Sequence, residues 1–386
     1  MAQSVTQNFE FYCNTRVAFG VNARAKVFDI LKKENWTKAG IVVDENLLKV
    51  EKVSVLISAL SERSEKVVIA KCKIAEPTYD SLDEMRVVFN DQKLDVMIGI
   101  GGGSALDMAK AMAVLVHNRK AAIEYRGFDK MTEKVLPIIA ITTTAGTGSE
   151  VTPNASFVDS KEKKKLGING EAVRPKYALL DPELTLSCPA KVTISSGVDS
   201  MVHATEAYVA HKTNPIARLY AKQGFLLVSQ NLPKAVAQPE NIEYRTNVML
   251  GAFFAGMALM HSGTGPSAAM SYPLGVHYHV PHGFAGGVFL PHVIRFNIQN
   301  GYYAYGDFVQ DINIADPKKR AEKFIEDLDL LWKALSMPKS LKEYGFKEEE
   351  MPRFIKETMD LKGALDQNPV PFYEKQIEAT LRLLKG

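Results

Sequence analysis

Half of the histidines in the chain fall in one short stretch, "HSGTGPSAAMSYPLGVHYHVPHG". The stretch and the residues just after it hold His261, His277, His279, His282 and His292. Imidazole is the commonest metal ligand and titrates near neutrality, so this stretch is a candidate metal or proton-transfer site. The alternative is chance clustering in an irregular loop, because glycine, serine and proline separate the histidines.

A second motif, "GVDSMVHATEAY", places Asp199 and His203 four residues apart. On a helix this spacing puts both side chains on one face, and a carboxylate with an imidazole is a half-site for Zn²⁺ or Fe²⁺. Most such pairs are surface salt bridges, but the neighbouring residues of this segment are small and apolar, which favours an inward-facing pair. We expect His282 to join them, with Pro281 and Gly283 holding its backbone in a fixed turn.

The segment "DVMIGIGGGSALDMAK" places Gly101, Gly102 and Gly103 between a buried strand and a helix. Glycines there can turn sharply and offer N–H groups to a phosphate at the helix N-terminus. We predict that Ser104 is the N-cap, that the helix begins at the next residue, and that Asp107 lies in its first turn. The spacing departs from the dinucleotide fingerprint, since serine stands at the third glycine position. A tight turn without a ligand is the alternative.

A polar loop, "TTTAGTGSEVT" (residues 142–152), follows another strand and could lie against a ribose or diphosphate. Such loops also serve as plain connections. Asp44 ends the strand "AGIVVD" and could accept hydrogen bonds from a ribose. Capping the next helix is an equally good interpretation of this aspartate.

These motifs lie on a regular alternation of strands and helices in the first half of the chain. Apolar, β-branched runs at residues 39–44, 66–74, 94–100 and 135–144 alternate with helical segments, which predicts a parallel α/β sheet with right-handed crossovers. From about Thr193 long helical periodicities dominate and strand patterns almost vanish. We therefore predict an α/β nucleotide-binding domain over residues 1–190 and an all-α domain over residues 191–386.

Composition narrows the class of protein. The 386 residues are 46% hydrophobic and 24% charged, with a net charge of +3, as in an ordinary globular protein. No basic block predicts nucleic-acid binding, and "KEKKK" (residues 161–165) suits a solvated turn. The three scattered cysteines, the missing signal pattern and the absence of a long apolar run predict a cytoplasmic protein without membrane contact.

Five motifs in order, "GGGSALDMAK", "TTTAGTGSEVT", "DPELT", "GVDSMVHATEAY" and "PLGVHYHVPHG", resemble the iron-containing (group III) alcohol dehydrogenases. The resemblance runs from about Arg16 to about His292. It implies the architecture shared with dehydroquinate synthase: an α/β domain that binds NAD(P), followed by a helical domain that binds a divalent metal, iron or zinc, with both in a cleft. It also implies a homodimer.

Carried over by position, the resemblance assigns the site. The metal ligands would be Asp199, His203 and His282. Asp44 would hold the adenosine ribose and favour NAD over NADP. The remaining cofactor-binding residues would be Gly101, Gly102, Gly103, Ser104, Ala105, Asp107, Thr142, Thr143, Thr147, Ser149 and Lys165. Tyr272 and His282 are the predicted catalytic residues.

The sequence departs from the family at three positions. The family pattern "HxMAHxLG" has a histidine ligand where Ala268 stands and a second histidine where Tyr272 stands. A weaker site, a water, or a substitute such as His279, His277 or His261, in that order, would follow. Tyr272 could move a proton in place of the second histidine. Glu76 replaces the usual asparagine before Pro-Thr. These changes resemble the branch that oxidises sugar alcohols, such as the C8 hydroxyl of 3-deoxy-manno-octulosonate in lipopolysaccharide biosynthesis.

The sequence thus predicts a metal-dependent oxidoreductase that transfers hydride between a primary or sugar alcohol and NAD. Two alternatives stay open. One is a lyase of the dehydroquinate synthase type, which uses NAD without net redox change. The other is a non-catalytic nucleotide-binding protein, an alternative suggested by the alanine at position 268, where the family has a metal ligand.

Overall fold

The structure is a computed structural model that describes residues 8–73, 76–311 and 313–385. Residue 74, the predicted end of one strand, lies outside the described residues, as do residues 1–7. The chain divides into two compact units. One comprises Tyr12–Pro189 with Pro239–Met249, and the other comprises residues 8–11, Ala190–Gln238 and residues 250–385. The domain limits of 1–190 and 191–386 stay a prediction.

The first unit contains the strands. Their bounds are β1 (Arg16–Phe19), β2 (Lys38–Asp44), β3 (Lys66–Cys72), β4 (Val96–Gly101), β5 (Gly127–Phe128), β6 (Ile138–Thr142), β7 (Asn154–Asp159), β8 (Lys164–Asn169) and β9 (Tyr177–Leu180). The four predicted strands are present as β2, β3, β4 and β6. The last of these is shorter than predicted at both ends, because its flanks form loops.

Within the described residues, six strands form a sheet in the order β1-β9-β6-β4-β2-β3, and every pair is parallel. The predicted parallel α/β fold is confirmed. Both faces of the sheet are buried, because neighbouring residues of β2 alternate between two cores: Ile41 and Val43 face one, and Val42 faces the other. This explains the continuous apolar runs, since a strand covered on both faces has no solvent side.

Helices cover the two faces of this sheet. They are α1 (Lys26–Glu34), α2 (Glu51–Arg63), α3 (Tyr79–Arg86) and α4 (Gly103–Leu115). α1 and α2 contribute buried residues to one core, and α3 and α4 contribute to the other. Each fully buried aliphatic side chain in these cores stabilises the fold by roughly 1.5–3 kcal/mol.

A second, smaller sheet was not predicted. In the described part of the chain, its order is β5-β8-β7, with β7 and β8 antiparallel. The lysine run divides at this hairpin: residues 160–163 form the turn, where Lys163 has φ of 53°, and Lys164 and Lys165 begin β8. The solvated-turn interpretation therefore holds only for the first part of the run.

The second unit is helical, as predicted for the C-terminal half. Its helices are α5 (Ala190–Val209), α6 (Pro215–Ala237), α7 (Ile242–Ser262), α8 (Pro266–Tyr278), α9 (His282–Gln299), α10 (Pro317–Ala334), α11 (Met351–Met359), α12 (Lys362–Leu365) and α13 (Glu374–Leu384). The first residues of α7 group with the α/β unit. No single described helix is long and apolar enough to span a membrane; α7 and α8 pass that test only as a pair bent by 106°.

The histidine-rich stretch is not an irregular loop. Most of it forms α8, which continues through Pro273, and α9 begins at His282 with Pro281 as N-cap. The predicted fixed turn around His282 is therefore wrong: this histidine occupies the first residue of a helix. Proline is well suited to a helix start, because its missing N–H has no intrahelical partner there.

Candidate functional site

The glycine loop joins β4 to α4 in the α/β unit. Gly101 has φ of +155°, and a Cβ at this position would lie 2.6 Å from Cβ of Ala105, so only glycine fits. The helix begins at Gly103 with Gly102 as N-cap and no side-chain capping bond. The predicted cap at Ser104 is wrong, because the glycines turn the chain into the helix two residues earlier. Asp107 consequently lies beyond the first turn.

The second polar loop lies directly against the glycine loop. The backbone N–H of Thr143 donates to the carbonyl of Gly101 at 3.0 Å. A Cβ on Gly103 would lie 2.7 Å from Cγ2 of Thr147, and one on Gly102 would lie 3.2 Å from the side chain of Thr144. The two loops predicted to bind a cofactor thus form one contiguous surface at the ends of the adjacent strands β4 and β6.

A buried ion pair on α4, between Asp107 and Lys110, holds the second loop in place. The carboxylate of Asp107 accepts from the hydroxyl of Ser149 at 2.5 Å and from the backbone N–H of Ser156 at 2.9 Å. Lys110 lies 3.8 Å from that carboxylate and donates to the carbonyls of Thr152 and Asn154. Burial lowers the pKa of Lys110 to about 8, although Asp107 opposes this shift. Both groups therefore hold the loop in place, a role that the sequence motifs did not reveal.

Two further predicted cofactor residues lie near the strand ends. Asp44 caps the short 3₁₀ helix at Glu45–Lys49 by accepting from the N–H of Asn46 at 2.9 Å. Its Cβ would lie 3.3 Å from a Cβ on Gly101, so it adjoins the glycine loop. Lys165 forms a 2.7 Å ion pair with Glu76, the residue that departs from the family pattern.

The predicted metal ligands converge in the helical unit. Asp199 and His203 leave one face of α5, and His282 comes from the start of α9. Ligand atoms of the three residues lie within 4.8 Å of one another. Oδ1 of Asp199 is 3.6 Å from Nε2 of His203 and 3.9 Å from Nε2 of His282. A single ion could contact all three.

The donor set fits a divalent metal. Two imidazoles and one carboxylate are the ligands that suit zinc and ferrous iron. His203 is buried, and its Nδ1 has no hydrogen-bond partner among the described residues. A buried polar atom without a partner is costly, so it marks a place where a group is expected to bind. Asp199 is also buried. Within the described residues its ion-pair partners are His203 and His282 rather than a lysine or an arginine, so a cation between the three would compensate its charge.

Close helix packing brings His282 to α5. A Cβ on Gly283 would lie 1.7 Å from the carbonyl oxygen of Ser195 and 3.0 Å from the backbone nitrogen of Asp199. Only glycine permits this approach, because both clashing atoms belong to the backbone. Gly283 therefore sets the distance between His282 and the two ligands on α5.

A buried carboxylate ties α8 to the same helix. Glu206, one turn after His203, accepts from the N–H groups of Gly265 at 2.7 Å and Ser267 at 2.6 Å. Burial raises the pKa of Glu206, and these donors at the start of α8 oppose the shift. Sequence reasoning missed this residue, although an acid three positions after a candidate ligand was visible in "HATE".

α8 then supplies the wall beside His282. The ring of Tyr272 meets the ring of His282 edge-on, with centroids 5.5 Å apart. Ala268, which stands where the family has a ligand, is buried in the same helix. The tyrosine is thus placed close to the ligand cluster, as its predicted catalytic role requires.

The other histidines do not complete the cluster. Nε2 of His277 lies 2.7 Å from a carboxylate oxygen of Glu357, and His279 is exposed at the left-handed C-cap of α8. The ring of His261 stacks on Phe11 with centroids 4.1 Å apart. In the part of the chain that the structure describes, none of the three joins the group of candidate ligands. The suggested substitutes for the missing imidazole are therefore wrong.

Comparisons with known proteins identify the family of this chain. Residues 14–182 match the model of the iron-containing alcohol dehydrogenases, and residues 193–384 match that of the C-terminal part of this family. The NAD-dependent methanol dehydrogenase of Bacillus methanolicus is 33% identical over 91% of this chain and 93% of its own length.

Solved structures are also similar. A 1,3-propanediol oxidoreductase matches with a TM-score of 0.92 and 29% identity over 97% of this chain and 99% of its own. A sulfoacetaldehyde reductase from Bifidobacterium kashiwanohense, solved in complex with NAD⁺, matches with a TM-score of 0.89 and 28% identity over 98% and 99% of the two chains. The protein belongs to the iron-containing alcohol dehydrogenase family.

Proposed function

We propose that the protein is an NAD-dependent alcohol dehydrogenase that holds a divalent metal, iron or zinc, through Asp199, His203 and His282. The observation that carries the proposal is the convergence of these three side chains within 4.8 Å. We favour NAD as the cofactor because the similar methanol dehydrogenase is NAD-dependent and the similar sulfoacetaldehyde reductase was solved with NAD⁺. The contiguous loops after β4 and β6 supply small residues and helix N–H groups that suit its diphosphate.

Each cofactor supplies one part of the chemistry. When bound, the metal would supply Lewis acidity toward a substrate hydroxyl, and NAD would supply the hydride acceptor. The reaction balances as alcohol plus NAD⁺ giving aldehyde, NADH and a proton. Gly101–Ala105, with Thr142, Thr143 and Thr147, would hold the diphosphate and orient the ring, and Asp44 would bind the adenosine ribose. Tyr272, beside His282, is our candidate for passing the hydroxyl proton on.

For the substrate we propose a primary or sugar alcohol. Tyr272 lies beside His282, Ala268 is buried on the same helix, and Glu76 pairs with Lys165; these are the three positions at which the sequence resembles the sugar-alcohol branch. The finer candidate is the C8 hydroxyl of 3-deoxy-manno-octulosonate. Methanol and 1,3-propanediol, which appear in the names of two similar dehydrogenases, are the small alcohols against which the sugar substrate should be compared. We further propose that the enzyme works as a homodimer.

The test measures NADH formation by protein that has been stripped of metal and reloaded with Fe²⁺ or Zn²⁺. We expect turnover to need the metal. The rate of NADH formation should fall by more than about 100-fold in Asp199→Ala and in His282→Ala, because changing only a residue that hydrogen-bonds to a metal ligand can already cost that much. His279→Ala is the matched control, because this exposed histidine lies outside the cluster.

Wild-type-like rates in both ligand variants after chelation would remove the metal from the mechanism. Product without net NADH would favour the lyase alternative. NAD binding without any turnover or metal would favour a non-catalytic nucleotide-binding protein.

A further inference from the structure

Ser271 makes two contacts that bear on the ligand cluster. It is fully buried on α8, and its hydroxyl oxygen lies 2.6 Å from the carbonyl oxygen of Ala268 and 3.0 Å from Nδ1 of His282. We propose that Ser271 is a positioning residue that fixes the tautomer and the ring orientation of His282, so that Nε2 faces the metal. This inference rests on the proposed metal role of Asp199, His203 and His282.

The direction of the two hydrogen bonds follows from counting protons. A serine hydroxyl has one proton, and a carbonyl oxygen can only accept. Ser271 donates its proton to Ala268, the shorter of the two contacts. Toward the imidazole it can then act only as an acceptor, so the N–H at Nδ1 of His282 donates to it.

This direction determines which nitrogen can bind a metal. In a neutral imidazole one nitrogen carries the proton and the other carries the lone pair. With the proton at Nδ1, the lone pair is at Nε2, the atom that lies 3.9 Å from Oδ1 of Asp199. A ligating histidine that donates its other N–H to a fixed acceptor is the usual arrangement at protein metal sites.

The ring of His282 is also held in direction. Tyr272, the residue after Ser271, meets it edge-on, so two successive residues of α8 contact the same imidazole. α8 is itself tied to α5 by the carboxylate of Glu206, which accepts from Gly265 and Ser267. The hydroxyl therefore belongs to a helix whose start is fixed to the helix that carries Asp199 and His203.

The experiment measures metal affinity rather than activity. Metal-free parent, Ser271→Ala, Ser271→Thr and Ser267→Ala proteins are titrated with Zn²⁺ in competition with a chromophoric chelator. Ser267 is the matched control, because it is an equally buried serine one turn earlier on α8 and its change to alanine keeps the backbone N–H that donates to Glu206. Thermal unfolding of each metal-free protein checks that the fold is retained.

We expect Ser271→Ala to bind Zn²⁺ 10- to 100-fold more weakly, as for other outer partners of ligating histidines. Ser271→Thr, which keeps the hydroxyl, should recover most of the loss, and Ser267→Ala should stay close to the parent. Equal or tighter binding by Ser271→Ala would overturn the inference, since it would mean that the hydroxyl does not select the ligating tautomer.

Two ligand variants separate this inference from the proposed function. If Asp199→Ala and His282→Ala lose Zn²⁺ while Ser271→Ala does not, only the role of Ser271 fails. If Asp199→Ala and His282→Ala bind Zn²⁺ like the parent, the metal centre itself fails, and the role of Ser271 fails with it.

Discussion

Replacing Gly283 with alanine tests whether helix packing sets the geometry of the ligand cluster. The added Cβ would lie 1.7 Å from the carbonyl oxygen of Ser195, whereas ordinary contact begins near 3.4 Å. α9 must therefore move away from α5 by about 1.7 Å, the difference between these two distances. His282 is the residue before Gly283 and must move with the helix.

That displacement is large for a metal site, which tolerates changes of about 0.2 Å in ligand distances. We expect Gly283→Ala to lose metal binding, as measured by metal content after dialysis and by chelator competition. Overpacking should also destabilise the fold by about 1–3 kcal/mol, as measured by urea unfolding.

Gly286→Ala is the control, because it lies one turn later on α9 and its Cβ would meet Val202 of α5 at 3.4 Å, an ordinary contact. It should keep both metal and stability. If Gly283→Ala binds metal as tightly as Gly286→Ala, close packing between α9 and α5 does not determine the position of His282, and the reasoning fails.

Three further predictions test other parts of the site. Tyr272→Phe keeps the edge-on contact with His282 but removes the hydroxyl, so kcat should fall by roughly 10²–10⁴ with metal affinity retained; an unchanged kcat would exclude Tyr272 from proton transfer. Asp44→Asn keeps an acceptor for the N–H of Asn46 but removes the charge, so the ratio of kcat/KM for NAD over NADP should fall; an unchanged ratio would contradict the ribose role. Because burial lowers the pKa of Lys110 to about 8 from 10.5, the unfolded chain binds more protons between these values, and Lys110 makes stability rise with pH there. The free energy of unfolding of the parent minus that of Lys110→Met, from urea titrations, should therefore increase from pH 8 to 10.5, and a flat difference would contradict the shift.

The fold was predictable where an apolar run or a long helical segment marked an element. The strands β2, β3, β4 and β6 and the long helices α6, α7 and α10 were all predicted in this way. The strands β1 and β9 were not found because each has only four residues, and β7 and β8 were not found because polar residues interrupt "NASFVD" and "KKLGIN". α8 was missed because glycine, serine and proline suggested a loop, yet burial within the helical unit stabilises it despite Pro273.

The ligand cluster was predictable in part for a different reason. The i,i+4 spacing of Asp199 and His203 determines a shared helix face, whereas the position of His282 depends on packing between helices distant in sequence. The hydrogen bonds that Ser271, Glu206 and Lys110 make to other helices and loops are not encoded by any spacing in the sequence. The cap predicted at Ser104 failed because local preference gave way to the glycine turn.

A crystal structure of the protein soaked with Fe²⁺ or Zn²⁺ and with NAD⁺, with anomalous data collected at the metal edge, would examine the proposed metal centre itself. We predict one anomalous peak about 2.0–2.2 Å from Oδ1 of Asp199 and from a ring nitrogen of each of His203 and His282. A peak held by other residues, or none at these three side chains under saturating metal, would contradict the proposed mechanism.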